Sequence, residues 1–256
     1  MTIIKIKNTP RGAFRIFGLS MKRDPFGNPV FLKRILISVI GWLTWARYAR
    51  KNVLHISGTE NLRGLPDKNV LFVSNHQTYF AEVMAILHVF CAVKNGYVDS
   101  IKKPWYLFRP RTNTYFVAAE ETMKKGILPR IFALAGSVSI QRTWRAGGQD
   151  VVRKVRMEDL SNIGAALSDG WVINFPQGTT KLNAKGRRGV TVLVKKYNPV
   201  VIPVVVDGFR QSFDKKGLVL KKKGIPLSVR FKPRLHLDPN ESGDPMLEKI
   251  MEAIEQ

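Results

Sequence analysis

Two short stretches of this 256-residue chain carry side chains suited to proton transfer and anion binding. The first is SNHQTYFAEV, Ser74–Val83, where an apolar β-branched run gives way to a helical pattern. A histidine at such a junction, His76, can project into the crevice outside the strand ends, the usual place for ligands in α/β sheets. Glu82 follows at the start of the helical pattern. A carboxylate bonded to one imidazole nitrogen fixes the tautomer and leaves the other nitrogen to take a proton from a hydroxyl. Taken alone, the pair also suits a histidine with only a structural role, which is the commoner case.

The second stretch is NFPQGTTK, Asn174–Lys181. Phe-Pro ends a strand, Gly178 permits close backbone approach, and Thr179, Thr180 and Lys181 offer donors to an anion. Lys185–Gly189 (KGRRG) then opens a helix whose first N–H groups add anion affinity, with Arg187 and Arg188 beside them. A polar solvated loop is the competing reading. In SIQRTWR, Ser139–Arg145, Arg142 sits at a strand end, where a guanidinium can clamp a phosphate or carboxylate; plain surface charge is the alternative. Pro203, inside the apolar run Val200–Val206, points to an edge, a bulge or a kink.

The elements that must position these groups alternate. Strands are expected at Val53–Gly58, Asn69–Asn75, Ser137–Gln141, Trp171–Phe175 and Val200–Val206, and helices at Ala81–Phe90, Ile127–Gly136, Asp150–Asp169 and Val190–Tyr197. Leu218–Phe231 reads as a hairpin turning at Lys223-Gly224, and Met246–Ile254 as a closing helix. The pattern predicts an α/β fold with a mostly parallel or mixed central sheet flanked by helices.

Residues 1–52 differ from the α/β domain expected over 53–256. The first ~60 residues are rich in Lys and Arg against only Asp24 and Glu60, and they contain the apolar run Ile35–Ala46. That run is shorter than the ~20 residues a bilayer-spanning helix needs. With Lys33, Arg34 and Arg47 at its ends and Trp42 and Trp45 within it, it suits a helix lying in the headgroup region. A helix packed on the domain's own core, or a snorkelling span, remains the alternative.

In their joint order, Asn-His-Gln, the strand-end Arg, Phe-Pro-x-Gly-Thr and the apolar strand with Ile-Pro resemble the PlsC-like glycerolipid acyltransferases, a family that includes 1-acylglycerol-3-phosphate acyltransferases. The resemblance implies that His76 takes the proton of a lysolipid hydroxyl as that hydroxyl attacks the thioester of acyl carrier protein or acyl-CoA. The family's His-x4-Asp would place an Asp at Ala81; here Glu82 stands one residue further on and is assigned to orient His76. In the family's Phe-Pro-Glu-Gly-Thr the Glu is replaced by Gln177. The resemblance assigns the acceptor's anionic head group to Arg142, Gln177, Gly178 and Thr179 and, more loosely, to Lys181, Arg187 and Arg188. It implies no cofactor and no metal, a default acceptor of 1-acylglycerol-3-phosphate, and a peripheral or monotopic position on the cytoplasmic face of the cell membrane. A lyso-aminolipid of the ornithine or glycine type is the alternative acceptor, one that Gln177 would favour.

The composition bounds the rest. Lys and Arg number 42 against 19 Asp and Glu, a formal net charge of +23, which suits nucleic acid, an anionic membrane or an acidic carrier. No metal-binding Cys/His spacing, basic heptad or aromatic RNA-binding strand accompanies that charge, so nucleic acid is not an expected partner. The single cysteine, Cys91, excludes an internal disulfide and reads as a buried thiol. A family member that only binds lipid is conceivable from Glu82 and Gln177, but His76, Gly178 and Thr179 argue against it. The spacing from His76 to Phe175 exceeds the family's, with the surplus around Ala92–Thr114; Lys102, Lys103, Trp105, Arg109 and Arg111 there suit docking to a membrane or an acidic carrier, or an ordinary solvated excursion.

Overall fold

Runs of β-branched and aromatic residues with no polar face can only be satisfied between two covering layers, and they form the centre of this protein. The computed structural model describes residues 15–16, 19–20, 22–120, 127–141, 145–146, 149–150 and 156–256. Seven strands build the main sheet: β1 (Val53–Ser57), β2 (Val70–Ser74), β3 (Thr114–Ala119), β4 (Ser137–Ile140), β5 (Trp171–Asn174), β6 (Val200–Asp207) and β7 (Pro226–Phe231). Their spatial order is β1-β7-β6-β2-β5-β3-β4. The five from β6 to β4 run parallel, β7 is antiparallel to β6, and β1 is parallel to β7.

Helices α1 (Val30–Ala49), α2 (Ala81–Lys94), α3 (Ile127–Leu134), α4 (Met157–Asp169), α5 (Gly189–Tyr197), α6 (Phe209–Ser212) and α7 (Gly243–Ala253) surround it. Strand β2 shows why two layers are needed. Val70 and Phe72 enter one core with α1 and α2, whereas Leu71 and Val73 enter another with α4, α5 and α7. The fold is therefore the expected α/β architecture.

Several elements differ from the sequence reading. Asp150 pairs with Arg145 in a two-residue ladder, and the helix begins only at Met157, where Glu158 and Asp159 complement the positive end of the helix dipole. Residues 151–155 of that expected helix lie outside the described residues. Only Pro226–Phe231 of the expected hairpin is a strand, because its partners are β6 and β1. The preceding Leu218 and Val219 instead donate their N–H groups to Asp214 Oδ1, each at 2.8 Å. Strand β3 was not expected at all. Pro203 lies in the interior strand β6, not at an edge. Its carbonyl accepts Lys232 N–H at 2.9 Å, and the register then slips by one residue before Val201 meets Leu235, so its missing N–H falls where β7 ends in a bulge.

Helix α1 buries the stripe Lys33, Ile37, Gly41, Trp45 and Tyr48 against the same core as α2. No helix among the described residues is long and apolar enough to cross a membrane.

Candidate active site

The parallel pairing of β6, β2 and β5 sets their carboxyl ends side by side, Ser74 beside Val204 and Val73 beside Asn174. Beyond β2, Asn75 pairs with the Val206 peptide, donating Nδ2–H to its carbonyl at 2.9 Å and accepting its N–H at 2.8 Å. The side chain thus substitutes for a strand neighbour, and the chain can leave the sheet at His76. Thr78 accepts Ala81 N–H at 3.1 Å through Oγ1 and so opens α2.

Glu82, in the first turn of α2, is wholly buried. Its Oε1 lies 2.8 Å from His76 Nδ1 and accepts the N–H groups of Gln77 and Thr78, each at 2.9 Å. The Thr78 hydroxyl donates to Oε2. Residues 77–80 therefore wrap around the carboxylate, and this closes the longer His-to-Glu spacing. Burial pushes the Glu82 pKa up, but the hydrogen bond and charge of His76 and the two donors of Thr78 outweigh it and hold the group below its ordinary value. An ionised carboxylate only accepts, so in the neutral imidazole the proton sits on Nδ1 and Nε2 carries the lone pair. The imidazole stacks on Phe175, ring centroids 4.0 Å apart and planes at 21°. Such an arrangement can serve as an oriented general base.

His76 borders a cavity of about 340 Å³, shared with Thr179, Thr180 and Lys181 after β5. Arg210 of α6 and Lys215 and Lys221 of the following loop complete the wall. Arg210 donates from its guanidinium to Thr180 O at 2.6 Å and from its backbone N–H to Gln77 Oε1 at 3.2 Å, so it ties the three strand-end loops together. The sequence reading missed Arg210, Lys215, Lys221 and the ring of Phe175. The available signal for Arg210 was its place just after a third strand end, Asp207-Gly208.

Thr179 and Lys181 line the cavity as expected from their motif. Gly178 adopts φ +61° and donates its N–H to Phe175 O at 2.9 Å, closing the turn that carries them. Gln177 does not line the cavity: it is buried, and its Nε2 bonds Ala184 O and Gln256 Oε1, each at 2.9 Å, bracing the loop from behind. Arg188 instead forms a two-bond pair with Asp244, at 2.8 and 2.6 Å. Arg187 donates its N–H to Pro176 O at 2.9 Å and also lies off the cavity. Arg142 lies outside the described residues.

A family model described as Acyltransferase matches residues 53–207, more than half of the chain, including β1 to β6, His76, Glu82 and the Asn174–Lys181 motif. The chain belongs to the acyltransferase family. This acyltransferase is similar in fold to the 1-acyl-sn-glycerophosphate (LPA) acyltransferase PlsC from Thermotoga maritima, with a TM-score of 0.53 and 18% identity over 86% of this chain and 76% of that one. No curated protein matches the chain. Within the acyltransferase, Arg210, Lys215 and Lys221 lie beyond the residues that match the family.

Of the membrane contacts expected on α1, Lys33 and Trp45 face inward. Lys33 is 1% exposed, with Nζ 3.9 Å from Asp24 and 3.8 Å over the Tyr115 ring. Burial lowers its pKa to about 8, against the pull of Asp24 and Asp169. Trp45 donates Nε1–H to Ile101 O at 2.7 Å. Both fall on the inner stripe of the helix. Arg34 is exposed, and Arg47 donates to Leu218 O at 2.7 Å. The outer face of the acyltransferase's α1 exposes Phe31, Leu32, Ile35, Val39, Trp42 and Leu43. Trp105 and Phe108, from a 3₁₀ turn at Pro104–Phe108, continue it: both are exposed, and Phe108 meets Trp42 at 5.7 Å.

Proposed function

We propose that this acyltransferase moves a fatty acyl group from the thioester of acyl carrier protein or acyl-CoA to the hydroxyl of a lysolipid, 1-acylglycerol-3-phosphate by default. The observation that carries the reading is the His76 base, fixed by Glu82 and Phe175 at the edge of a cationic cavity. His76 Nε2 takes the hydroxyl proton as the oxygen attacks the thioester carbon. The tetrahedral intermediate then collapses, the carbon–sulfur bond breaks, and the leaving thiolate receives that proton from the imidazolium. Glu82 remains ionised throughout and steadies the imidazolium.

The exposed apolar face of α1 with Trp105 and Phe108, together with nearby Arg34, Lys102 and Lys103, supports a peripheral or monotopic position on the cytoplasmic face of the cell membrane. Lysolipid would then reach the site from the bilayer that holds the enzyme. The lyso-aminolipid alternative drew on Gln177, whose place behind the loop gives it no support.

The test is mass spectrometry of lipids formed by the purified enzyme from acyl carrier protein and CoA donors with a panel of lysolipids. New diacyl product, lost in His76→Ala, is expected. Absence of product from every acceptor, or product undiminished in His76→Ala, would overturn the reading.

A further inference from the structure

Helix α7 lies behind the cavity beside His76 and lines none of it, yet the loop that follows β5 is built onto this helix. The helix stands by its own packing: Met246, Ile250 and Ile254 are wholly buried in the core shared with α4 and α5. Residues 178–187 leave the end of β5 and return to it, Gly178 N–H donating to Phe175 O and Arg187 N–H to Pro176 O, each at 2.9 Å. They form a compact Ω-type loop whose ends are closed by main chain. Three contacts set this loop down along α7. Arg188, just past the loop, pairs with Asp244 at the start of the helix. Gly186 presses on its middle: a Cβ there would come within 2.6 Å of Met251 Sδ and 2.9 Å of Leu247 Cδ1. Gln177 reaches Gln256, just beyond its end.

The contact at Gln177 is the selective one. Its buried Nε2 has two hydrogens and two acceptors, Ala184 O inside the loop and Gln256 Oε1 on the side of α7, each at 2.9 Å. The Gln256 amide is itself oriented, because its Nε2 donates to Glu255 O at 2.6 Å and its backbone N–H to Met251 O at 3.0 Å. Gln256 therefore presents an acceptor, and position 177 must present donors. A carboxylate there would set its oxygens against two further oxygens in a buried place, and an apolar side chain would leave Ala184 O without this donor. The Arg188–Asp244 pair adds little of its own, since both groups are largely exposed.

We propose that α7 is the seat of this loop and that Gln177 is the positioning residue that keys the loop to it, by donating to Ala184 and Gln256 together. Gln177 does not reach the cavity; it acts through the loop, whose other face brings Thr179, Thr180 and Lys181 there. The proposal rests on the acyl-transfer reading for what the loop is positioned to do. Asp244, Met251 and Gln256 lie beyond the residues that match the family, so the seat comes from outside the matched segment.

The test uses the full chain with Gln177→Leu, Gln256→Ala, their combination, and Glu248→Gln on the exposed side of α7 as the control. Brief trypsin digestion, with the cuts mapped by mass spectrometry, reads the loop directly through Lys181, Lys185 and Arg187. Gln177→Leu should be cut within the loop about tenfold or more faster than wild type, and Gln256→Ala by a smaller factor. The combination should be cut no faster than Gln177→Leu alone, because both act through one bond. Glu248→Gln should be cut as wild type is. In turnover, KM for one or both substrates should rise about tenfold in Gln177→Leu while kcat stays within about twofold, since His76, Glu82 and Phe175 keep their contacts. A residue needed only for folding would lower kcat through lost active enzyme and leave KM alone. Loop cleavage unchanged in both single variants, cleavage of the combination accelerated by the product of the two factors, or a fall in kcat with KM unchanged would overturn the proposal. Should Gln177→Leu fail to fold, Gln256→Ala, at an exposed position, still decides the digestion. If the wild type acylates nothing, the acyl-transfer reading fails while the digestion still decides whether α7 and Gln177 hold the loop.

Discussion

The imidazole of His76 lies flat on the ring of Phe175, 4.0 Å between centroids, although the two residues belong to different strand ends. The stack fixes the plane of the imidazole, and the bond to Glu82 fixes its rotation within that plane. Phe175→Leu should retain the apolar bulk and lose the stack. We expect kcat to fall roughly tenfold, in keeping with the sensitivity of such reactions to alignment, with KM little changed and the circular dichroism spectrum preserved. Equal loss in kcat and secondary structure would instead mean that Phe175 is a folding residue.

Glu82→Gln keeps the volume but not the charge. The substituted amide cannot accept all four donors now gathered on the carboxylate, and it no longer steadies an imidazolium. By analogy with the loss of a buried triad carboxylate, kcat should fall about 10²–10⁴-fold. Single-turnover kinetics with a pre-bound donor would read the chemical step; near-normal turnover would remove Glu82 from the mechanism.

Acid should weaken the fold in two stages. His88 is buried between Thr44 Oγ1 at 3.0 Å and Tyr106 OH at 2.9 Å, and burial lowers its pKa from 6.5 to about 3. The unfolded chain therefore binds a proton that the folded one refuses, and stability present above pH 6.5 is lost as pH falls toward 3, by up to about 1.4 kcal/mol per pH unit. Glu82 adds a second limb. Its folded pKa is depressed, so its contribution is complete above the ordinary carboxylate value and disappears as pH falls through the folded one. Denaturant midpoints between pH 7.5 and 3.5 should decline from near 6.5 downward. His88→Gln, which can retain both hydrogen bonds, should flatten the upper part of that decline and leave the lower.

The aromatic group on the outer face gives a separate test. Trp105→Ala with Phe108→Ala removes exposed rings that touch no catalytic residue. Co-sedimentation with anionic vesicles should drop several-fold, while turnover of a monomeric short-chain acceptor stays at the wild-type level. Undiminished vesicle binding would mean that these rings do not meet the bilayer.

These contrasts show which parts of the protein were legible in its sequence. His76 and Glu82 could be read because strand-end chemistry and residue type lie together within one short segment. The Phe175 ring could not, because its contact exists only once β2 and β5 pair with Val73 beside Asn174. Arg210, Lys215 and Lys221 were invisible for the same reason: a cavity wall crosses loops that are distant in sequence. Gln177 was misplaced because a motif position does not say which side of a turn the side chain takes, and the turn Phe175–Gly178 sends it backward. A lysine at the edge of an apolar run reads as a surface residue, but the helical stripe that Lys33 shares with Ile37, Gly41 and Trp45 turns it inward.

Tyr48 of α1 donates to Ala81 O at 2.9 Å, and Arg47 donates to Leu218 O at 2.7 Å, so the end of that helix is bolted to the first residue of α2 and to the loop that follows α6, the two segments that flank the cavity beside His76. An enzyme lying on a bilayer through α1 would hold His76 at one fixed height above the lipids. Its substrate would then be metered by surface density, not by bulk molarity. Diluting the acceptor with inert lipid at constant total acceptor would slow the reaction, and the proportion of acceptor in the leaflet would set the pace of synthesis.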